Sequence, residues 1–386
     1  MRGRLIKMHR KWQLAADRPR PHLRPMDWRA GTAPETQILT RSSGLALRLA
    51  RGEAPAGDLW DWIEPPHRRP AGSGRGSVGG AALVSLRGAL WMPRAGLILD
   101  RSGTPMHASA GQVPARVRRL PAARASLPRA AVFMAGGARG NYGHFLFDAL
   151  PGLHALDRLQ VLAQIPAAAP PLRPWGREIL QMAGLAARQI TAPAVRVDHL
   201  VYVTTLNAYL NRAGPLVAQT ARRLQTAEPE GSQAPVYLSR RAYVKRRLIA
   251  ERRLEAALAA AGVRILRPER MSVRAQRAAL SRCEALIGPS GAALANVMFL
   301  PRGARVIELR PDPVNEPWME LACTALGLEH KVVSGQVACL RDAPFVERAA
   351  IGLRRLAGRS AYAWEIEEAD VLDALQAPEF TPRLSA

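Results

Sequence analysis

From residue 236 onward, short apolar runs alternate with segments of helical spacing. The apolar runs lie at 236–238, 263–266, 285–287 and 306–309. Helices are predicted between them at 248–261 and 272–283, and after the last of them at 317–326. Strands that alternate with helices of about ten or more residues predict a parallel, doubly wound α/β sheet. A ligand of such a sheet binds at the carboxyl ends of the strands.

A glycine turn, Gly288-Pro289-Ser290-Gly291, follows the third apolar run and precedes a predicted apolar helix at 292–300. A turn of this kind can direct free backbone N–H groups and the positive end of the helix dipole at one anion. From these residues alone, an ordinary strand-to-helix connection explains the stretch equally well. At the end of the next predicted strand, Glu308 can accept from ribose hydroxyls or pair with a neighbouring arginine.

The chain before residue 230 predicts a second α/β region. A buried strand at 131–134 leads into a glycine-rich loop, and helical spacing follows over 142–159, with a kink or break at Pro151. At roughly 150 residues per domain, 386 residues fit two domains. We predict an irregular segment at 1–80 and domains at 81–229 and 230–386.

His144 and Asp148 lie four residues apart in this predicted helix and therefore share one face. A carboxylate beside a histidine, just after a glycine loop, can serve as a general base towards an acceptor hydroxyl. The alternative is structural, with Asn141 capping the helix and the pair making internal hydrogen bonds.

Arginines cluster after the strand at 236–238. Arg240, at the strand end, is the better candidate for phosphate binding because arginine forks match phosphate oxygens. A solvated basic run explains the rest of the cluster equally well. Its members are Ser239, Arg240, Arg241, Arg246 and Arg247.

The net charge of +24 indicates anionic partners such as phosphates, nucleotides or an acidic lipid surface. Only four of the 55 basic residues are lysines, as a GC-rich coding bias would produce. Nucleic acid is a poor fit, because aromatic residues do not interleave with the basic runs. Three cysteines without CxxC spacing predict no disulfide framework, no zinc site and a reducing compartment.

The N-terminus is basic but has no apolar stretch after it, and no run is long and apolar enough to span a bilayer. We therefore expect a cytoplasmic protein whose basic leader can contact an anionic membrane surface peripherally.

Four blocks in order resemble the signatures of glycosyltransferase family 61. The first contains Asn-Tyr-Gly-His-Phe with a following Asp and Pro, and the fourth contains the glycine turn. The last block continues into a Phe-x-Pro-x-Gly…Val-Ile-Glu pattern. The blocks span 140–151, 237–251, 269–276 and 288–308.

The resemblance implies a GT-B fold, in which two Rossmann-like domains face a central cleft. It implies inverting transfer from a nucleotide-diphosphate sugar to a glycan acceptor, as in bacterial capsular or surface polysaccharide biosynthesis. We expect no obligatory cofactor or metal, because backbone N–H groups of Gly291 and Ala292, with Arg240, can stabilise the departing diphosphate. Asp148 is the predicted base, with His144 as the alternative or its partner. Asn141 and Tyr142 lie on the predicted acceptor side. The predicted donor-binding residues are Arg240, Arg247, Ser290, Gly291, Ala292, Asn296 and Glu308.

Two positions depart from the family pattern, since Ser290 stands for the usual His and Ala250 for the usual Asn before Glu251. Serine can still hydrogen-bond a phosphate but cannot act as an imidazole. An alternative is therefore a non-catalytic, degenerate transferase fold that binds anionic polymer or nucleotide. A nucleotide-dependent sugar epimerase also uses two Rossmann-like domains, but it does not explain the Asn-Tyr-x-His-Phe block.

Overall fold

A computed structural model describes 14 parts of the chain. They are 44–54, 57–68, 77–103, 106, 122–134, 136–206, 210, 213–225, 233–243, 245–312, 314, 316–338, 349 and 362–377. The chain divides into two compact units, Met1–Leu216 and Val217–Ala386. Each contains a seven-stranded sheet with helices, which confirms the α/β class. None of the helices in these parts is long and apolar enough to cross a membrane.

The first unit has a mixed sheet in the order β1-β2-β7-β4-β5-β6, with β3 paired to β2. Strands β7, β4, β5 and β6 run parallel, whereas β1, β2 and β3 form an antiparallel extension. The strands are β1 (Leu59–Arg68), β2 (Ser77–Met92), β3 (Leu97–Leu99), β4 (Ala125–Val132), β5 (Ala167–Ala169), β6 (Arg188–Gln189) and β7 (Val195–Val203). The helices are α1 (Gly44–Ala50), α2 (Gly136–Gly140), α3 (Tyr142–His144), α4 (Leu150–Arg158) and α5 (Pro174–Met182), and α6 (Pro215–Leu224) crosses into the second unit.

Part of the segment predicted to be irregular, 1–80, has regular structure. Helix α1 buries Leu45 and Leu49 completely, and β1 pairs antiparallel with β2 over most of its length. The prolines within β1 hide its strand pattern in the sequence. They are compatible with the fold because β1 is an edge strand, where a missing N–H costs no ladder bond. Residues 1–43 of that segment lie outside the described parts.

The helical stretch predicted at 142–159 contains a π-helical turn, Phe145–Ala149, between α3 and α4. The Leu150 N–H donates to the Phe145 carbonyl, five residues back. Pro151 has no N–H to continue an α-helical ladder, and the wider turn accommodates that loss. The predicted disturbance at Pro151 is therefore a π turn that directly follows His144.

The second unit is built on five parallel strands in the order β10-β8-β11-β12-β13. Strand β14 pairs antiparallel with β13, and β9 completes that edge. The strands are β8 (Val236–Leu238), β9 (Arg246–Leu248), β10 (Arg264–Leu266), β11 (Ala285–Pro289), β12 (Arg305–Pro311), β13 (Glu329–Val337) and β14 (Tyr362–Glu365). The helices are α7 (Glu251–Ala260), α8 (Val273–Leu280), α9 (Trp318–Leu326) and α10 (Glu368–Gln376), with a 3₁₀ helix at Ala292–Phe299.

The order of these five strands defines where a ligand fits. The chain goes from β8 to β10 on one side, and then crosses past β8 to β11, β12 and β13 on the other. The winding therefore reverses between β8 and β11, and the crevice at such a reversal is the usual binding position of open α/β sheets. The predicted parallel, doubly wound sheet is confirmed for these five strands.

One predicted helix starts later than expected. Leu248 ends strand β9, and α7 begins at Glu251 instead of at 248. Ala250 between them has φ 55° and ψ 19°, a left-handed conformation that cannot belong to the helix. Cys283 and Cys323 are buried free thiols, and Cys339 lies outside the described residues.

Candidate functional site

His144 and Asp148 form a hydrogen-bonded pair in the first unit. The His144 Nδ1 atom lies 2.7 Å from Asp148 Oδ2, and the other carboxylate oxygen accepts the Leu210 N–H at 2.7 Å. His144 follows the carboxyl end of β4, and Leu210 follows the carboxyl end of the neighbouring strand β7. The pair thus sits at the edge of the parallel strands where ligands of such sheets bind.

Burial separates the roles of the two side chains. Asp148 is 2% exposed, whereas the His144 side chain is 34% exposed. A buried carboxylate with both oxygens hydrogen-bonded can orient an imidazole and fix its tautomer, while the ring meets the substrate. The geometry therefore favours His144, our alternative prediction, as the group that contacts an acceptor, with Asp148 positioning it.

Asn141 and Tyr142, predicted on the acceptor side, make local structural contacts. The Asn141 side chain caps α3 by accepting from the N–H groups of Gly143 at 2.9 Å and His144 at 3.3 Å. The ring of Tyr142 packs edge-to-face on Trp175, with 5.6 Å between centroids. Asn141 thus fixes the helix start that carries His144, and contact of either residue with an acceptor stays a prediction.

In the second unit, Arg240 and the glycine turn meet at the reversal between β8 and β11. Arg240 Nη1 donates to the Ser290 carbonyl at 2.5 Å. Gly291 has φ 156°, and a Cβ there would lie 2.7 Å from Arg240 Nη1, so only glycine fits. The 3₁₀ helix starts at Ala292, and the first N–H groups of a helix have no acceptor within it. A guanidinium and a helix N-terminus therefore lie together at this crevice.

Glu251 holds the backbone of Arg240 in place. Its Oε1 accepts from the Arg240 backbone N–H at 2.6 Å and from the Tyr237 hydroxyl at 3.0 Å. Burial raises the pKa of the Glu251 carboxyl. Burial, followed by the nearby Arg246 charge, lowers the pKa of the Arg240 guanidinium. Arg240 is thus a partly desolvated cation, and partial desolvation strengthens its attraction for an anion.

The remaining predicted donor residues belong to the framework around the crevice. Ser290 is 2% exposed, and its Oγ has no partner among the described residues. Asn296 is fully buried and donates to Gln276 Oε1 at 2.8 Å. Arg247 Nη1 donates to the Arg241 carbonyl at 2.5 Å.

Glu308 is also fully buried, so it does not face the crevice directly. Its Oε2 lies 3.2 Å from His330 Nε2 and 3.9 Å from Arg310 Nη1. The sequence-based alternative, pairing with a neighbouring arginine, is therefore present, and a contact with ribose stays a prediction. Across the described residues, no group of three or more His, Cys, Asp and Glu side chains is arranged to hold a metal ion.

Three partners were not identified from the sequence as site residues. Gln276 ties Asn296 to the turn before α8, donating to the Pro268 carbonyl at 3.0 Å. A usable signal was its position at the end of the third block of the family resemblance, 269–276. The Leu210 backbone N–H and His330 carry no such signal, since only the tertiary fold brings them to Asp148 and Glu308.

The family model described as Glycosyltransferase 61 matches residues 142–307. The matched stretch includes the His144–Asp148 pair, Arg240 and the glycine turn, and it ends one residue before Glu308. A search of curated proteins found no match to the chain. The family match supports membership of this chain in glycosyltransferase family 61 and indicates a glycosyltransferase.

Proposed function

We propose that the chain transfers a sugar, with inversion, from a nucleotide-diphosphate donor to a hydroxyl of a glycan acceptor. The acceptor oxygen forms a bond to the anomeric carbon while its proton passes to His144. The bond from that carbon to the diphosphate oxygen breaks with its electron pair, and a nucleoside diphosphate leaves. One displacement inverts the anomeric centre.

The observation that carries this proposal is the His144–Asp148 pair. A partly exposed imidazole held at 2.7 Å by a buried carboxylate is an arrangement suited to accepting a proton. The Leu210 N–H holds the second carboxylate oxygen in place, and a carboxylate in this position stabilises the imidazolium that forms. Such a base typically contributes about 10²–10⁴-fold to the rate.

The donor side of the proposal rests on Arg240 and the turn at Gly291. Charge develops on the diphosphate as it leaves, and a guanidinium with preorganised N–H groups stabilises that charge. Because these groups supply positive charge themselves, the proposal needs no obligatory divalent cation. Glu308 acts here by positioning Arg310, which follows it in β12.

We extend the proposal to a GT-B arrangement in which the first unit takes the acceptor and the second takes the donor. Two α/β units, each with parallel strands, support this assignment. The family resemblance supports a bacterial surface or capsular polysaccharide as the acceptor and a cytoplasmic location, with peripheral contact to an anionic membrane.

The direct test incubates the purified chain with a panel of nucleotide sugars and measures donor hydrolysis and transfer, with the His144→Ala variant in parallel. We expect turnover with at least one donor and a loss of about 10²–10⁴-fold in the variant, with nucleotide affinity unchanged. Full turnover by His144→Ala would overturn the assignment of the base.

The alternative, a non-catalytic transferase fold that binds anionic polymer or nucleotide, draws support from Ser290, which replaces a histidine of the family pattern and is buried. It predicts no hydrolysis of any donor in the same panel, together with salt-sensitive polymer binding. The retained His144–Asp148 pair argues against it, because a binding protein has no need of an oriented imidazole.

A further inference from the structure

A cavity of about 550 Å³ in the second unit, wide open to solvent, lies outside the crevice of Arg240 and Gly291. It is placed at the carboxyl ends of β8 and β10, on the side of β8 away from β11. Its lining residues are Arg241, Arg252, Glu255, Ala256, Ile265 and Arg267. Arg241 follows β8, Arg267 follows β10, and Arg252 lies in the first turn of α7.

Three guanidinium groups and one carboxylate make this cavity electropositive. Glu255 is 6% exposed, and its Oε2 lies 3.1 Å from Arg241 Nη1 and 3.6 Å from Arg267 Nη2. One buried carboxylate therefore holds two arginines in place. Each guanidinium carries five N–H donors, so most of them stay available to a ligand. The two side chains are 34% and 40% exposed, respectively, so a ligand can reach them.

Arg252 differs from Arg253, its neighbour in α7, in its ion pairing within the described part of the chain. Arg253, the next residue, pairs with Glu368. Among the described residues, no carboxylate forms an ion pair with Arg252, which is exposed at the cavity. Two arginines are preorganised by a buried carboxylate, and a third is exposed beside them at the cavity. Three guanidinium groups placed in this way suit an oxyanion.

We propose that this cavity is a second anion site, which takes a phosphate or carboxylate group of the same donor whose diphosphate meets Arg240. This inference rests on the proposed function. Neighbouring strands are about 4.8 Å apart, so β10 lies within the span of one nucleotide sugar measured from the reversal at β8 and β11. In doubly wound nucleotide sites, the end of the strand beyond the first meets the ribose, and arginine there accommodates a phosphate.

The first experiment measures binding of inorganic phosphate calorimetrically in the Arg240→Ala background. This substitution removes the guanidinium of the crevice, and the assay needs no turnover. We expect phosphate binding to persist there and to weaken about tenfold when Arg252→Ala and Arg267→Ala are added, as the loss of charge-assisted hydrogen bonds implies. Arg253→Ala is the matched control. It is compared with Arg252→Ala alone, because each substitution removes one positive charge from α7. Arg253 lies outside the cavity, so affinity should change less than about twofold.

No phosphate binding in the Arg240→Ala background would overturn the site. Equal weakening by Arg253→Ala would also overturn it, because net charge alone would then explain the affinity. Failure of the proposed function is distinguishable, since an inactive chain can still bind phosphate in this assay.

The second experiment separates two sources of the anion. UDP-glucuronate is compared with UDP-glucose, and ADP carrying a ribose phosphate with ADP. Tighter binding of UDP-glucuronate than of UDP-glucose assigns the anion to the sugar, and tighter binding of the phosphorylated ADP than of ADP assigns it to the ribose. In either case the difference should be lost in the Arg252→Ala Arg267→Ala variant. Equal binding within both pairs would show that the cavity does not serve the donor.

Discussion

At the scale of single residues, the contact between His144 Nδ1 and Asp148 Oδ2 decides which ring nitrogen can act as a base. An ionised Asp148 keeps the proton on Nδ1 and leaves Nε2 as the proton acceptor. In Asp148→Asn, the amide can still accept from the Leu210 N–H but presents an N–H donor to Nδ1. The ring then carries its proton on Nε2, so we expect transfer to fall by about 10²–10⁴-fold.

The measurement is kcat and KM for transfer, with nucleotide affinity as the control for folding. His144→Gln should be at least as severe as Asp148→Asn, because it removes the base itself. Substantial turnover in His144→Gln together with none in Asp148→Asn would instead identify Asp148 as the base.

Ala250 is a second residue whose conformation has a measurable consequence. Its φ of 55° lies in the left-handed region, which alanine occupies at a cost of roughly 1–2 kcal/mol and asparagine tolerates better. The family pattern has Asn at this position, so Ala250→Asn should stabilise the chain by about 0.5–1 kcal/mol. The denaturant midpoint measures this change, with Ala259→Asn in the right-handed part of α7 as a control that should destabilise. Equal effects of the two substitutions would show that strain at Ala250 is not relieved.

At the scale of elements, substitutions of two glycines distinguish the effect of backbone strain from that of close side-chain contact. In Gly291→Ala, the new Cβ would meet Arg240 Nη1 at 2.7 Å and displace the guanidinium. We expect nucleoside diphosphate affinity to fall at least about tenfold. Gly303→Ala is the matched control, because Gly303 has φ +80° with nothing within 4 Å of an added Cβ. It should cost roughly 1 kcal/mol of stability and leave affinity unchanged; equal losses of affinity would contradict the contact argument.

The central strand β7 carries a pH-sensitive residue, His199. Burial, and then the charges of Arg87 and Arg129, lower its pKa from 6.5 to about 4. These arginines are its partners across the sheet on β2 and β4, and its Nε2 lies 2.9 Å from Ser85 Oγ. Because the unfolded chain binds the proton more readily, stability is fully present above pH 6.5 and falls as the pH drops towards 4.

We expect a loss on the order of 1–2 kcal/mol by pH 4, since solvent screens part of the arginine charges. Urea unfolding between pH 7 and pH 4 measures this loss, and His199→Gln should remove that part of the pH dependence. An unchanged profile in His199→Gln would assign the acid sensitivity to other groups.

Local sequence pattern predicted the elements whose conformation depends mainly on their own residues. The helix predicted at 317–326 is α9, Trp318–Leu326, because Pro317 precedes its first turn and Gly327, with φ 68°, ends it. The pattern did not predict β9, whose residues Arg246–Leu248 are mostly charged and pair with β14 more than a hundred positions later. Such short edge strands depend on a distant partner, and local sequence does not specify it.

At the scale of the whole molecule, strand order accounts for what could be predicted of the candidate sites. Arg240 and Gly291 come together because they follow neighbouring strands of a parallel sheet, which the alternation of elements predicted. The burial of Asn296 and Glu308 could not be predicted, because it depends on which helices cover each face of the sheet. For the same reason, the helix period placed His144 beside Asp148 but did not say which of them is exposed.

The net charge of +24 attracts anions to the whole chain. Binding at a specific donor site must therefore be distinguished from this general attraction. Binding of a long polyanion such as heparin draws on many basic residues, so its affinity should fall steeply with salt and change little in Arg240→Ala. Nucleoside diphosphate meets a few partly buried groups, so its affinity should depend weakly on salt and drop at least about tenfold in Arg240→Ala. Titrations of both ligands at two salt concentrations make the comparison. If Arg240→Ala weakened neither ligand and both followed the same steep salt dependence, the diphosphate would be held by net charge alone, and the non-catalytic alternative would explain the chain better than a transferase.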